Sequence, residues 1–130
     1  MKQIKVLFMF FVLLASNQVL GQGDIVNDVK ETIKAGSAKE LVRFFNQNVD
    51  IELNGKKETY SKAQSEIILR DFFKANAPSD FNILHKGQSP SGQPFAIGQY
   101  KSGSSLYRIF MKIKTVDNQQ LIHEISFSKE

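Results

Sequence analysis

Hydrophobic and polar residues alternate with a period of two in four successive segments of the second half of the chain. A strand with one buried face requires this period. The predicted strands are residues 81–88, 95–101, 106–116 and 120–128. Short segments rich in glycine, serine, asparagine and aspartate separate them, so the pattern predicts an antiparallel meander.

The register of the last hairpin follows from matching its two faces. A three-residue loop at 117–119 places Met111 opposite Ile125 and Lys112 opposite Glu124, an opposite-charge pair. The same loop places Ile113 opposite His123. A two-residue turn would set Met111 against Glu124, so we predict the three-residue loop.

Similar loops at 102–104 and around Ser91 pair Ile97 with Ile109 and His85 with Ile97. These registers divide the side chains of the meander between two faces. The predicted inner face holds Phe81, Ile83, His85, Phe95, Ile97, Gln99, Tyr107, Ile109, Met111, Ile113, Leu121, His123, Ile125 and Phe127. The predicted outer face holds Tyr100, Leu106, Arg108, Phe110, Lys112, Lys114, Ile122 and Glu124. The inner face requires a cover of helices.

The first half of the chain supplies that cover. Apolar residues with helical spacing predict helices over 24–35, 38–47 and 61–76, and capping boxes begin the second at Ser37 and the third at Ser61. Asn54 and Gly55 indicate a hairpin between 49–53 and 56–60. The predicted class is therefore α+β: two helices, a short hairpin, a third helix and a four-stranded meander forming a curved sheet that packs on the helices.

The N-terminus has the pattern of a secretory signal peptide. Lys2 and Lys5 precede an apolar run over 6–15, and Val19-Leu20-Gly21 places small or tolerated residues at the positions that a signal peptidase reads, with cleavage after Gly21. We predict a signal peptide over 1–21 and one domain over 22–130, located in the periplasm or outside the cell. The apolar run is shorter than the ~20 residues of a membrane-spanning helix, so we expect no stable membrane insertion after cleavage.

Composition limits the classes of function. The formal charge of +4 falls by two when Lys2 and Lys5 leave with the signal peptide, and basic residues do not cluster, so nucleic acid is not an expected partner. The chain has no cysteine, which excludes disulfides and thiolate metal sites. The two histidines lack carboxylates at ligand spacing, and we predict no metal and no cofactor.

The order of elements resembles the nuclear-transport-factor-2-like superfamily, in which a curved sheet wraps helices into a cone. The chain is also similar to a family of small secreted domains of unknown function from Bacteroidota. The residues carrying this likeness are Ala35-Gly36, Phe44-Phe45, the segment from Tyr60 to Gln64, Asp71-Phe72-Phe73, His85-Lys86-Gly87 and Ile97-Gly98.

The resemblance implies a pocket between the sheet and the helices. Superfamily members include isomerases, cyclases and dehydratases that place an Asp, Tyr or His there, and also many non-catalytic binding and dimerisation domains. His85 is the first candidate: a base oriented by Asp71, or a core histidine bonded to a backbone carbonyl. Tyr60, Gln99 and Tyr107 are candidate polar groups of the pocket, and Arg108 is a candidate clamp for a carboxylate.

The sequence therefore favours an exported, non-catalytic domain that binds a small apolar molecule or an envelope protein. The half-apolar outer face suggests a homodimer as well. The alternative is a pocket enzyme of isomerase, dehydratase or cyclase type that uses His85 with Asp71.

Overall fold

A computed structural model describes residues 24–130, and the predicted signal peptide lies outside this range. The described chain contains three α-helices, one short 3₁₀ helix and six β-strands. The helices are α1 (Ile25–Lys34), α2 (Ala38–Leu41) and α3 (Lys62–Ala75). The strands are β1 (Phe45–Leu53), β2 (Lys56–Ser61), β3 (Asp80–Gln88), β4 (Pro94–Ser102), β5 (Ser105–Val116) and β6 (Gln119–Lys129).

Side-chain caps begin all three helices. The Asp24 carboxylate accepts the Val26 N–H at 2.9 Å, and Ser37 accepts the Glu40 N–H at the start of α2. Ser61 and Gln64 form the predicted reciprocal capping box of α3. Because the first backbone N–H groups of a helix have no partner within it, these caps fix where each helix starts.

The second predicted helix is wrong in length. It ends at Leu41, a 3₁₀ turn spans Val42–Phe44, and β1 begins at Phe45 rather than near residue 49. Branched and aromatic side chains favour extended backbone. Phe45 is fully buried there, opposite Ile122 of β6, so packing in the sheet outweighs continuation of the helix.

The hairpin and the meander form one sheet with the order β2-β1-β6-β5-β4-β3. The sequence predicts the hairpin and the four-stranded meander but not their union. Strand β1 runs parallel to β6, with Ile51 beside Ile125 and Leu53 beside Phe127. The sheet is curved and open, and the α+β class is confirmed.

Between β5 and β6 the predicted register is correct in the middle and wrong at the end. Met111 pairs with Ile125 and Lys112 with Glu124, as expected. The turn, however, has two residues, both with positive φ, 52° and 63°. A β-bulge compensates for the shorter turn: Ile113 pairs with Ile122, and His123 is the extra residue of β6. Contrary to the prediction, Ile122 is fully buried.

The predicted register between β4 and β5 is wrong by one residue. Gly103 (φ 58°) opens a two-residue turn, so Ser102 pairs with Ser105 and Ile97 pairs with Phe110 rather than Ile109. The two faces of β4 are therefore exchanged. Residues on the inner, helix-facing side are Ala96, Gly98 and Tyr100, and those on the outer side are Phe95, Ile97 and Gln99.

Strand β3 contains a second bulge. Ile83 pairs with Gly98 and His85 with Ile97, so Leu84 is the extra residue. The predicted pairing of His85 with Ile97 is confirmed, but both residues belong to the outer face. The predicted inner position of His85 is wrong, because the bulge reverses the facing of β3 beyond Ile83 and the two-residue turn reverses the facing of β4.

An aromatic cluster forms the core where α3 meets the sheet. Phe72 contacts the rings of Tyr100, Tyr107 and Phe127, with centroids 4.7–5.8 Å apart. The Tyr107 hydroxyl donates to the Asn76 side chain at 2.9 Å, and the Tyr100 hydroxyl donates to the Asn76 carbonyl. The Tyr100 hydroxyl thus satisfies the backbone carbonyl of the residue that caps α3, and the Tyr107 hydroxyl satisfies the side chain of the same residue.

Candidate functional site

A cleft of about 710 Å³ opens on the helix-facing side of the sheet, at the end where the β5–β6 turn lies. Three parts of the chain surround it: the start of α1, the adjoining ends of β3 and β4, and the β5–β6 hairpin. The volume of the cleft lies within the range of about 300–1,000 Å³ found for small-molecule sites.

An ion pair crosses one side of this cleft. The Lys86 Nζ on β3 lies 2.8 Å from the Asp24 Oδ2 at the cap of α1. Burial acts to raise the pKa of the Asp24 carboxyl, but hydrogen bonds from Lys86 and the Val26 N–H, together with the Lys86 charge, lower it below 3.8. The Asp24 carboxylate is therefore ionised at neutral pH, and it forms an ion pair with Lys86.

Neutral polar residues form much of the remaining lining. They are Gln88 from β3, Thr115 from β5, and Asn118, Gln119 and Gln120 from the hairpin. Gln119 pairs with Val116, so its side chain faces away from that of Gln120. Apolar side chains complete the lining: Ile25, Val26, Pro94 and Ile113. The cleft thus combines apolar surface with groups that both donate and accept hydrogen bonds.

The two β-bulges direct key residues into the cleft. Beyond the bulge in β3, the inner positions are Lys86 and Gln88 instead of His85 and Gly87. The two-residue turn and the bulge at His123 likewise place Gln120 opposite Thr115 on the inner side. Bulges commonly aim side chains near functional sites.

The structure does not bring His85 and Asp71 together. His85 is exposed on the outer face, its ring 5.6 Å from that of Phe95. Asp71 is exposed on α3, which packs against the inner face through Phe72 and Phe73. The sheet lies between the two side chains, and a base with its orienting carboxylate requires hydrogen-bond reach.

The other sequence-predicted site residues are dispersed, and none lines the cleft. The buried Tyr107 is bonded to Asn76, and the Tyr60 hydroxyl donates to Glu58 at 2.7 Å. Gln99 lies on the outer face, paired with Arg108. The Arg108 guanidinium lies 3.2 Å from the Glu130 carboxylate.

The ring of His123 forms a hydrogen bond within the fold. Its Nε2 lies 2.6 Å from the Gln93 amide nitrogen, and because an amide nitrogen can only donate, the ring nitrogen accepts. Burial, followed by the charge of Lys114, lowers the pKa of His123 below 6.5 and favours this neutral form. The residue anchors the β3–β4 loop to the bulge in β6.

Within residues 24–130, no group of three or more His, Asp or Glu side chains could hold a metal ion. No helix of the same range is long and apolar enough to cross a membrane. A second depression of about 370 Å³ lies between α2 and α3, beside Lys39, Arg43 and Lys62. It is smaller, and Arg43 is already paired with Glu40 at 3.2 Å.

Sequence reasoning missed the cleft because its lining comes from residues that carry no catalytic pattern. The one local signal is the run of amides at 118–120, next to a tight turn. Asp24 and Lys86 are 62 residues apart, so only the fold shows that they form a pair.

Helices on one face of an open, curved sheet, with a cleft at its end, define the nuclear-transport-factor-2-like or cystatin-like class. Within that class, residues 26–128 match the family model of a domain of unknown function (DUF4783). The chain belongs to this family. No curated protein matches it.

Solved structures agree with this assignment. A DUF4783 family protein from Bacteroides fragilis is 29% identical, with a TM-score of 0.76 over 82% of this chain and 100% of that chain. One from Bacteroides uniformis is 24% identical, with a TM-score of 0.76 over 82% and 98%. A domain of unknown function with a cystatin-like fold from Nostoc punctiforme is 10% identical, with a TM-score of 0.61 over 78% and 70%.

Proposed function

We propose that this protein is an exported, non-catalytic domain that binds a small ligand in the cleft between α1 and the β5–β6 hairpin. The observation that carries the proposal is the cleft itself, whose size and mixed lining suit a small molecule. The N-terminal pattern of basic residues followed by an apolar run and a cleavage-like segment supports export, so we propose that the domain meets its ligand in the periplasm or outside the cell.

The charges of the cleft argue against proton transfer. Asp24 and Lys86 are its only titratable side chains among the described residues, and each is engaged by the other. A carboxylate with a lowered pKa is a weak base at neutral pH, since efficient general bases have pKa values near the working pH. Binding therefore fits the site better than isomerase or dehydratase chemistry.

The test is native mass spectrometry of the chain from Gln22 to Glu130, purified from a periplasm. We expect a reproducible extra mass that is released on denaturation. Thr115→Trp should abolish this mass by filling the cleft, because Thr115 is an exposed lining residue near the end of β5. Lys114→Trp is the matched control, since the neighbouring side chain points to the outer face.

Two results would contradict the proposal. The first is a retained molecule that Thr115→Trp does not displace from a folded protein. The second is turnover of any retained molecule that Asp24→Asn and Lys86→Met abolish together, which would make the cleft an active site.

A second function, a protein contact through the outer face, is favoured by one specific observation. The rings of Phe95 and Phe110 stack there, with centroids 5.6 Å apart and planes 18° apart. Both side chains are half-buried and lie outside the core, with Ile97 and His85 beside them. We propose that this aromatic patch forms a homodimer contact, because a two-fold interface requires a self-complementary surface.

Light scattering after gel filtration tests the dimer. Phe110→Ser should convert a dimeric mass into a monomeric one, whereas Leu106→Ser, on the same face of β5, should not. A monomeric wild-type protein at high micromolar concentration would exclude the homodimer. Cross-linking of that monomer to an envelope protein through the same patch would instead identify a heterologous partner.

A further inference from the structure

We propose that the ligand of the cleft is a neutral, polyhydroxylated molecule, specifically a short saccharide. This inference rests on the proposed binding function and names the chemical class of its ligand. It differs from the small apolar molecule expected from the sequence, because the lining contains both apolar surface and uncharged polar groups.

The charged groups of the lining are already paired with each other. A site for an anion or a cation offers an opposite charge that is available to the ligand. Here the single anionic group of the lining, Asp24, already binds Lys86 at 2.8 Å and caps α1 through the Val26 N–H. The cleft therefore carries no net charge, and a charged ligand would have to break this pair.

The inner polar side chains of the lining can both donate and accept hydrogen bonds. Gln88, Asn118 and Gln120 each present a carbonyl acceptor and an NH₂ donor, and the Thr115 hydroxyl does both. Saccharide hydroxyls also donate and accept, so successive hydroxyls can pair with successive amides without any proton transfer.

The apolar part of the lining suits the C–H faces of a sugar ring. Ile25, Pro94 and Ile113 place apolar surface beside the polar groups. A sugar ring can cover these side chains while its hydroxyls reach the amides at the edge. A volume of about 710 Å³ accommodates a short oligosaccharide.

A peptide is the main competing ligand, since its backbone also donates and accepts. An extended peptide is most readily bound by the free edge of a sheet, through main-chain hydrogen bonds. Strand β3 is such an edge, whereas the cleft is lined by side chains. Binding of a peptide at the β3 edge would depend little on the amides, and this difference separates the two ligands experimentally.

The experiment is a titration of the ¹⁵N-labelled chain, Gln22 to Glu130, followed by NMR. The probes are neutral tri- and tetrasaccharides from dextran, xylan, mannan and chitin, with a sulfated heparin tetrasaccharide and a poly-alanine tetrapeptide as comparisons. We expect at least one neutral probe to shift the amides of 115–120. Gln120→Ala should weaken its Kd about five- to tenfold, the loss expected for one or two hydrogen bonds.

Thr115→Trp should abolish the same binding and Lys114→Trp should leave it unchanged, with spectral dispersion confirming that each variant is folded. The saccharide class is overturned if no neutral probe binds, if only the sulfated probe or the peptide binds, or if Gln120→Ala has no effect. A retained non-saccharide mass that Thr115→Trp displaces would overturn the ligand class while leaving the binding function intact. A retained mass insensitive to Thr115→Trp would reject both.

Discussion

Gly98 in β4 leaves space that a buried aromatic ring occupies, and filling that space should destabilise the fold. A Cβ added at Gly98 would lie 2.5 Å from the Phe81 Cζ and 3.0 Å from the Asn82 carbonyl oxygen. Carbon atoms pack best at about 3.5–4.0 Å, so the ring would have to move by about 1 Å. Phe81 is fully buried beside Tyr100, with ring centroids 6.5 Å apart, so its ring cannot move into solvent without leaving the core.

The size of the effect follows from two opposing terms. Overpacking a core costs about 1–3 kcal/mol. Replacing glycine by alanine recovers about 0.4–1 kcal/mol by restricting the unfolded chain. We expect Gly98→Ala to lower the free energy of unfolding by about 1–2 kcal/mol. In a domain of this size each kcal/mol lowers Tm by about 4–8 °C.

Urea denaturation followed by circular dichroism measures this loss, with Gly87→Ala as the matched control. The Cβ at Gly87 would meet Phe95 at 3.0 Å and His85 at 3.2 Å. Both are side chains of the outer face that can move into solvent, so we expect a change within about 0.5 kcal/mol. If Gly98→Ala is as stable as the wild type, or if Gly87→Ala loses as much, the packing argument is wrong.

Three further predictions concern titrating groups. Burial raises the pKa of Tyr100 above 10, so the free energy of unfolding should fall as pH rises above 10. Tyr100→Phe should remove this part of the fall, and it should cost about 1–2 kcal/mol at pH 7. Urea titration measures both effects. Asp24→Asn keeps the helix cap but breaks the ion pair with Lys86, so it should lower the free energy of unfolding by less than about 1 kcal/mol. Asp24→Ala also removes the cap and should cost about 1 kcal/mol more. In the wild type, the ionised Asp24 carboxylate stabilises the fold fully above pH 3.8, and this stabilisation should disappear as pH falls below 3.8. Acid denaturation of Asp24→Asn should not show this loss. His123 should titrate by NMR below 6.5, with stability falling as pH drops below 6.5 because the unfolded chain is protonated first.

The fold was predictable because its elements have strong local signals. Alternation located all four strands of the meander to within about two residues, since each has one face in the core. The capping box at Ser61 marked the start of α3, because the side chains of Ser61 and Gln64 satisfy free N–H groups within the same short segment. The parallel pairing of β1 with β6 was not predicted, since it joins residues about 75 positions apart and has no local pattern.

The faces of β4 were not predictable from the strand itself, because apolar residues occur at both sets of alternate positions. The segment around Gly103 is compatible with turns of two or three residues, and each gives a different register. Burial of Tyr100 decides between them, since its hydroxyl finds a partner in the Asn76 carbonyl at the end of α3. A buried tyrosine requires such a partner, and this one is supplied by a distant part of the chain.

The candidate site depends on the same two bulges that made the predicted register wrong. Without the bulge at Leu84, the inner face of β3 would present His85 and Gly87, and Lys86 would point away from Asp24. Without the bulge at His123 and its two-residue turn, Leu121 would occupy the inner position now held by Gln120. Each irregularity therefore exchanges apolar or histidine side chains for the polar groups of the cleft. The bulges leave the core pairs of Ile109 and Met111 intact, so they alter the rim of the sheet without disturbing its packing.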